Sequence, residues 1–268
     1  MIVSVSRRGD VPAFGGDWFM ERLRRGLVEV RNPFCRGRER LVSLKKQDVD
    51  AFVFWSRDPR PFLEHLPEIE RGGYPYYFLV TVTGYSRPLE TSTPPPEQAV
   101  IFFKELAGRI GRRRLVWRYD PVIFTAGTAF AFHVRNFSNL ARRLSPFASR
   151  VIVSFFDPYP KVDRRLGKIG IAAEKAAGSP EQQNDLLARF AEIAVGSGLE
   201  IQSCAETAAA AGVGPGKCVD EGLLNELFGL GLAYRKDPSQ RKLCLCQQSV
   251  DIGSYGTCRH GCLYCYAR

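Results

Sequence analysis

A chain of 268 residues with 45% hydrophobic side chains can bury a sizeable core, in one large domain or a domain with a small appendage. No apolar run approaches the ~20 residues of a bilayer-spanning helix. The start MIVSVSRRGD lacks the pattern of a signal peptide, so a cytoplasmic location without a membrane partner is expected. The formal charge of +10 fits either solvated basic faces or a polyanionic partner such as nucleic acid, yet no helix-turn-helix, zinc-finger or RNA-recognition signature accompanies it.

In chain order, Ile2–Ser6 reads as a strand and Gly15–Val28 as a helix with Asp17 near its cap. A strand at Ala51–Trp55 precedes a helix at Pro61–Arg71, and a third strand covers Tyr76–Thr83. A proline-rich loop then leads into a helix from about Glu97. Strand Arg114–Asp120, helix His133–Leu144 and strand Arg150–Asp157 follow, with a loop at Gly170–Pro180. Pro180–Val195 is a strong helix capped by Ser179, and Leu199–Ser203 is the next strand. Helices are expected near Ala205–Ala211 and Glu221–Phe228, before a polar, cysteine-rich tail from Tyr234.

Near-continuous apolar strands that alternate with helices argue for an α/β protein with a parallel sheet covered on its faces. No glycine-rich phosphate loop follows the first strand, so a (β/α) barrel, incomplete or rearranged, fits better than an open doubly wound sheet. The expected division is a barrel over residues 1–233 and a cysteine-rich segment over 234–268 that folds back on the barrel mouth.

Active sites of such barrels form just past the C-terminal ends of the strands. Polar residues fall there: Ser6, Arg7, Arg8 and Asp10; Trp55, Ser56, Arg57 and Asp58; Thr81 and Thr83; Arg118, Tyr119 and Asp120; Ser154, Asp157 and Tyr159; Ser203, Cys204 and Glu206. Arginines mixed with carboxylates suit an anionic or zwitterionic small molecule, because the guanidinium fork matches a carboxylate or phosphate.

Five of the eight cysteines lie between Cys244 and Cys265. In a reducing compartment that density points to metal or catalysis before disulfides. The tail reads Cys244-x-Cys246, then Cys258-x3-Cys262-x2-Cys265. A tetrahedral zinc site would use the Cys262/Cys265 knuckle with Cys244 and Cys246. An iron–sulfur cubane would use the three close thiolates of Cys258, Cys262 and Cys265 and leave one iron for an outside ligand. Cys204, Cys218, Cys244 and Cys246 are either buried apolar cysteines plus a tail pair, or a second metal site of zinc or iron–sulfur type. Cys35 reads as an incidental loop thiol. His260 reads as a shaping residue of the cysteine loop, and His65 and His133 as surface or packing residues.

The stretch TCRHGCLYCYAR resembles the cluster loop of the radical S-adenosylmethionine (SAM) superfamily, C-x3-C-x-aromatic-C, with Tyr264 before the third cysteine. SVSRRGDVPAF, VRNPF, FVFWSRDPRP, VWRYDPV, KCVD and CLCQQSVDIGSYGTCRHGCLYCYA resemble, over nearly the whole chain, a bacterial and archaeal family of unknown function with such a cluster at its C-terminus. The resemblance implies a 4Fe–4S cluster on Cys258, Cys262 and Cys265, with SAM on its open iron and Tyr264 near the adenine. It also implies a reducing donor such as a ferredoxin or flavodoxin. The function implied is formation of a 5′-deoxyadenosyl radical that abstracts hydrogen from an unidentified substrate, and Arg7, Arg8, Asp10, Arg118 and Asp120 become the candidate catalytic ring. The alternatives are an electron-transfer protein whose cluster has four protein ligands, and a zinc-stabilised nucleic-acid-binding protein. Radical SAM enzymes usually carry this loop after the first barrel strand, whereas here it comes last. The enzyme reading therefore requires Ser249–Gly253 to form a late strand that brings the loop beside Arg7, Asp10 and Arg118.

Overall fold

The computed structural model describes residues 1–31 and 39–268. Cys35, and the basic residues Arg36 and Arg38 close after it, lie outside the described residues.

Eight strands form one parallel sheet. In chain order they are β1 (Ile2–Val5), β4 (Ala51–Ser56), β5 (Tyr76–Thr81), β6 (Leu115–Val122), β7 (Arg150–Phe155), β8 (Glu200–Ser203), β9 (Gly214–Pro215) and β10 (Ser249–Asp251). Their spatial order is β10-β1-β4-β5-β6-β7-β8-β9. The last strand of the chain thus sits beside the first, with Ile2 opposite Ser249 and Ser4 opposite Asp251. A separate antiparallel hairpin joins β2 (Leu27–Arg31) to β3 (Glu39–Ser43).

The alternation of each strand divides its side chains between two cores. Phe52, Phe54, Phe78, Trp117 and Val151 face a helical layer built from α2 (Gly16–Arg25), α4 (Pro96–Ile110), α5 (Phe130–Leu144) and α8 (Pro180–Gly196). Ala51, Val53, Trp55, Tyr77, Leu79 and Ile152 face the opposite side. They pack there against Leu223 and Leu224 of α9 (Glu221–Phe228) and against Cys204, Cys218, Cys244 and Cys246. Both faces are buried, which is why these strands read as unbroken apolar runs.

The expected strands are all present within two residues of their expected ends. The helix expected at Gly15–Val28 is shortened to α2, and a separate turn of helix precedes it. A short α1 (Val11–Phe14) is capped by Asp10, and α2 stops at Gly26, whose φ of 72° is the left-handed helix-ending conformation. Residues 27–31 then run as β2, paired antiparallel with β3, with Val28 and Val42 opposite each other and buried while Leu27, Glu29 and Leu41 beside them are exposed. No helix forms at Ala205–Ala211. That alanine run favours helix by propensity alone, but Ala205 adopts φ 59°, and the segment is too short to hold a helix by itself. The first half of Pro61–Arg71 is a 3-10 turn that leads into α3 (Leu66–Arg71). Helices α6 (Pro160–Gly167) and α7 (Ala173–Ala177) occupy a stretch that includes the expected loop at Gly170–Pro180. Among the described residues, no helix is long and apolar enough to cross a membrane.

Candidate metal and substrate cavity

Past the C-terminal ends of the strands lies a cavity of about 600 Å³. Its walls carry Arg7, Arg8, Asp10, Arg118 and Asp120, all seven cysteines of the second half of the chain, and Tyr264. The ends of β1, β4, β5, β6, β7 and β8 all contribute to it. Asp58, Thr83, Tyr119, Ser203 and Glu206 do not line it. Tyr119 points into the helical layer instead, where its ring stacks edge-on to Phe137 and His133.

Residue 251 decides how the tail reaches this place. The Asp251 carboxylate accepts hydrogen bonds from Ser4 Oγ (2.9 Å), Ser6 Oγ (2.7 Å) and the Arg7 amide (2.7 Å), which locks β10 against β1. Gly253 follows, and any Cβ there would collide with Ser6. The chain therefore leaves β10 directly over the strand ends, and the cysteine loop begins five residues later.

The loop is fixed from several sides. His260 is buried and donates from Nε2 to Asp10 (2.8 Å). Asp10 also accepts from the amides of Ala13 (3.0 Å) and Arg57 (2.7 Å). The carboxylate ranked among the catalytic candidates is thus an anchor that joins α1, β4 and the loop. Backbone bonds Ser92 N to His260 O (3.0 Å) and Leu263 N to Leu89 O (2.9 Å) hold the loop to the segment after β5. Gly261 adopts φ 72° against Thr91, a position that no side chain fits. Tyr266 donates to the Arg7 carbonyl (3.0 Å), and Arg165 donates to the Cys265 carbonyl.

Tyr264 is buried, and its hydroxyl is engaged with protein. Arg57 donates to it (2.6 Å), and it donates to Glu90. Glu90 also accepts from Arg57 (2.9 Å) and Thr83 (2.5 Å). Burial alone would lower the Arg57 pKa, but Glu90, then Tyr264, Cys262 and Cys265, hold it well above its ordinary value. Burial pushes Tyr264 well up. Burial also raises Cys258, and raises Cys262 to about 12 against the lowering effect of Arg57. A metal loading this loop must therefore displace protons, a cost that Arg57 reduces. Glu90 carries no sequence signal, because its loop has no motif. Arg57 stands in the strand-end ring, but only the fold shows it to be the cation under the cysteine loop.

The remaining candidates form a second charged wall. Arg7 donates to Asp237 (3.3 Å) and Ser249 (3.1 Å). Arg118 pairs with Asp120, whose carboxylate also accepts from Ser154 (2.5 Å). Both guanidinium groups lie over the Trp55 ring, at 5.6 Å and 4.8 Å. Arg118 Nε is buried without a hydrogen-bond partner. Arg8 lies over the Tyr255 ring, 4.0 Å from Asp251.

Cys204, Cys218 and Cys246 bring their sulfurs within 4.8 Å of one another, a buried group able to hold a metal ion. Cys244 is buried beside them. The neighbouring thiols of Cys204, Cys218 and Cys244, helped by Arg7, lower the Cys246 pKa. Cys258, Cys262 and Cys265 form no such tight group.

No curated protein matches this chain. The chain belongs to the family defined by the domain of unknown function DUF1848, whose model matches residues 2–267.

Proposed function

We propose that the protein is an iron–sulfur enzyme of radical SAM type, built on a (β/α) barrel, with this cavity as its active site. One observation carries the reading: the three thiols of the C-x3-C-x2-C loop face the same cavity as the strand-end arginines and carboxylates. A cubane places each thiolate on a different iron and spreads the sulfurs wider than a single ion does, so the looser spacing of Cys258, Cys262 and Cys265 suits it. A fully protein-ligated cluster would need a fourth thiolate, and Cys244 and Cys246 are grouped with Cys204 and Cys218.

When bound, such a cluster and SAM supply one-electron cleavage of the sulfonium to methionine and a 5′-deoxyadenosyl radical, with the electron from a small reductant such as a ferredoxin or flavodoxin. The chain does the rest. Arg57 supplies positive charge beneath the thiolates. Arg118 and Arg7, held over Trp55, bind an anionic group of substrate or SAM. Asp120 orients Arg118. Asp10 and His260 hold the loop in place. With its hydroxyl committed to Arg57 and Glu90, Tyr264 offers the cavity an aromatic surface for adenine. Nucleic acid is not favoured as a partner, because the basic charge at the cavity is paired with carboxylates.

The test is anaerobic reconstitution. The reduced protein should show a 4Fe–4S electron paramagnetic resonance signal that changes when SAM is added, and 5′-deoxyadenosine should form. An unchanged signal without that product would overturn the reading. Arg118→Ala should keep the cluster but lose SAM-dependent turnover at least tenfold.

A further inference from the structure

The sheet has two free edges among its paired strands, β9 on one side and β10 on the other. The four buried cysteines stand at these edges. Cys204 follows β8 directly, and Cys218 comes three residues after β9. Cys244 and Cys246 precede β10 by a few residues. Beside them one backbone hydrogen bond, Gln247 N to Val219 O (2.9 Å), crosses from one edge segment to the other. Tyr77 holds the Cys218 side by donating to the Cys218 carbonyl (2.6 Å) and accepting from the Asp220 amide (3.0 Å).

We propose that Cys204, Cys218, Cys244 and Cys246 bind a single tetrahedral zinc ion that fastens the two sheet edges together and so closes the barrel that the backbone leaves open. The spacing selects a single ion. Zinc–sulfur bonds of about 2.3 Å in a tetrahedron put neighbouring sulfurs about 3.8 Å apart. Cys204 and Cys218 sulfurs are 3.7 Å apart, and Cys246 lies within 4.8 Å of both. That is too far for a disulfide, whose sulfurs are about 2.05 Å apart, and tighter than four thiolates spread over four irons.

The surroundings suit the charge. Zinc with four thiolates carries two net negative charges, which burial makes costly unless cations face it. Arg7 and Arg118 line the same wall. A full set of four protein ligands leaves no position for substrate, which makes this a structural site. Its mechanical consequence follows from chain order. Cys246 lies only three residues before β10, and β10 leads straight to the loop of Cys258, Cys262 and Cys265. Fastening Cys244 and Cys246 to the β8–β9 edge fixes where that loop stands over the cavity. The inference does not depend on what the loop itself binds.

Metal analysis of the full-length protein purified anaerobically should give about one zinc per chain. That zinc should persist in the triple variant Cys258→Ala/Cys262→Ala/Cys265→Ala, which loses iron. It should fall at least fivefold in Cys204→Ser/Cys246→Ser. Should that variant fail to fold, the unaltered protein decides: zinc absorption spectroscopy should report four sulfur neighbours near 2.3 Å, and cobalt substitution should give tetrahedral thiolate bands. Removing zinc with a chelator should raise hydrogen exchange in the β9, β10 and loop segments. Zinc-free protein with iron for two clusters, or zinc lost together with the loop cysteines, would overturn the site. Unchanged exchange after zinc removal would overturn its closing role.

Discussion

His133 shows how a single side chain is fixed by its surroundings. A carbonyl only accepts, so Nε2 carries the proton donated to Ile123 O (3.1 Å), and Nδ1 accepts from the Tyr119 hydroxyl (3.0 Å). Asn136 completes the set by donating to that hydroxyl (2.9 Å). Burial lowers the His133 pKa from 6.5 to about 4. The unfolded chain therefore binds the extra proton first as pH falls. The stabilisation is complete above pH 6.5 and is lost between 6.5 and about 4. The stability advantage over His133→Gln should shrink by about 3 kcal/mol across that window; denaturation at pH 7 and pH 4 checks it, and a constant difference would refute it. Glu90 is the matching case for charge. In Glu90→Gln the buried Arg57 loses its counter-ion, and unfolding free energy should fall by about 3 kcal/mol. Tyr264→Phe removes both hydrogen bonds of its hydroxyl, from Arg57 and to Glu90, and should cost about 2 kcal/mol. Equal losses for the two would mean that the ion pair is not the main contact.

Among the elements, α8 was the most legible. Ser179 accepts from the Gln182 amide (3.2 Å), and the Gln182 side chain returns to the Ser179 amide (3.0 Å), a reciprocal cap followed by Pro180 in the first turn. Ser179→Ala should cost about 1 kcal/mol, seen as a lower denaturant midpoint at unchanged slope. The strands of the main sheet came next, because two buried faces impose continuous apolar runs. The hairpin β2–β3 was not, since polar residues alternate with Leu27, Val28 and Val30 at the end of a helical pattern. The alanines at Ala205–Ala211 misled for the opposite reason: strong local preference yields where the neighbouring strand ends need an irregular path for Cys204.

At the scale of the whole molecule the tail is part of the core. Cys244 and Cys246 pack with the interior of the sheet, and Cys262 and Tyr264 pack with Tyr85, Ile123 and Phe156 beyond the strand ends. A chain cut after residue 233 would expose the β1 edge and both of these apolar groups. It should lose cooperative thermal unfolding and self-associate, as read by circular dichroism and size-exclusion chromatography; a monomer with an intact sharp transition would show that residues 1–233 fold alone. The sequence by itself determined the parallel α/β class, the order of the principal strands and the thiol spacing of Cys258, Cys262 and Cys265, because each follows from local period or local motif. Only the tertiary structure decided that β10 pairs with β1, that Cys204 and Cys218 meet Cys244 and Cys246, and that Glu90 meets Arg57 beneath the loop. Those contacts join residues up to 247 positions apart. No local pattern encodes such separations; they are set by which strand edges and buried charges are left to be satisfied once the sheet has formed.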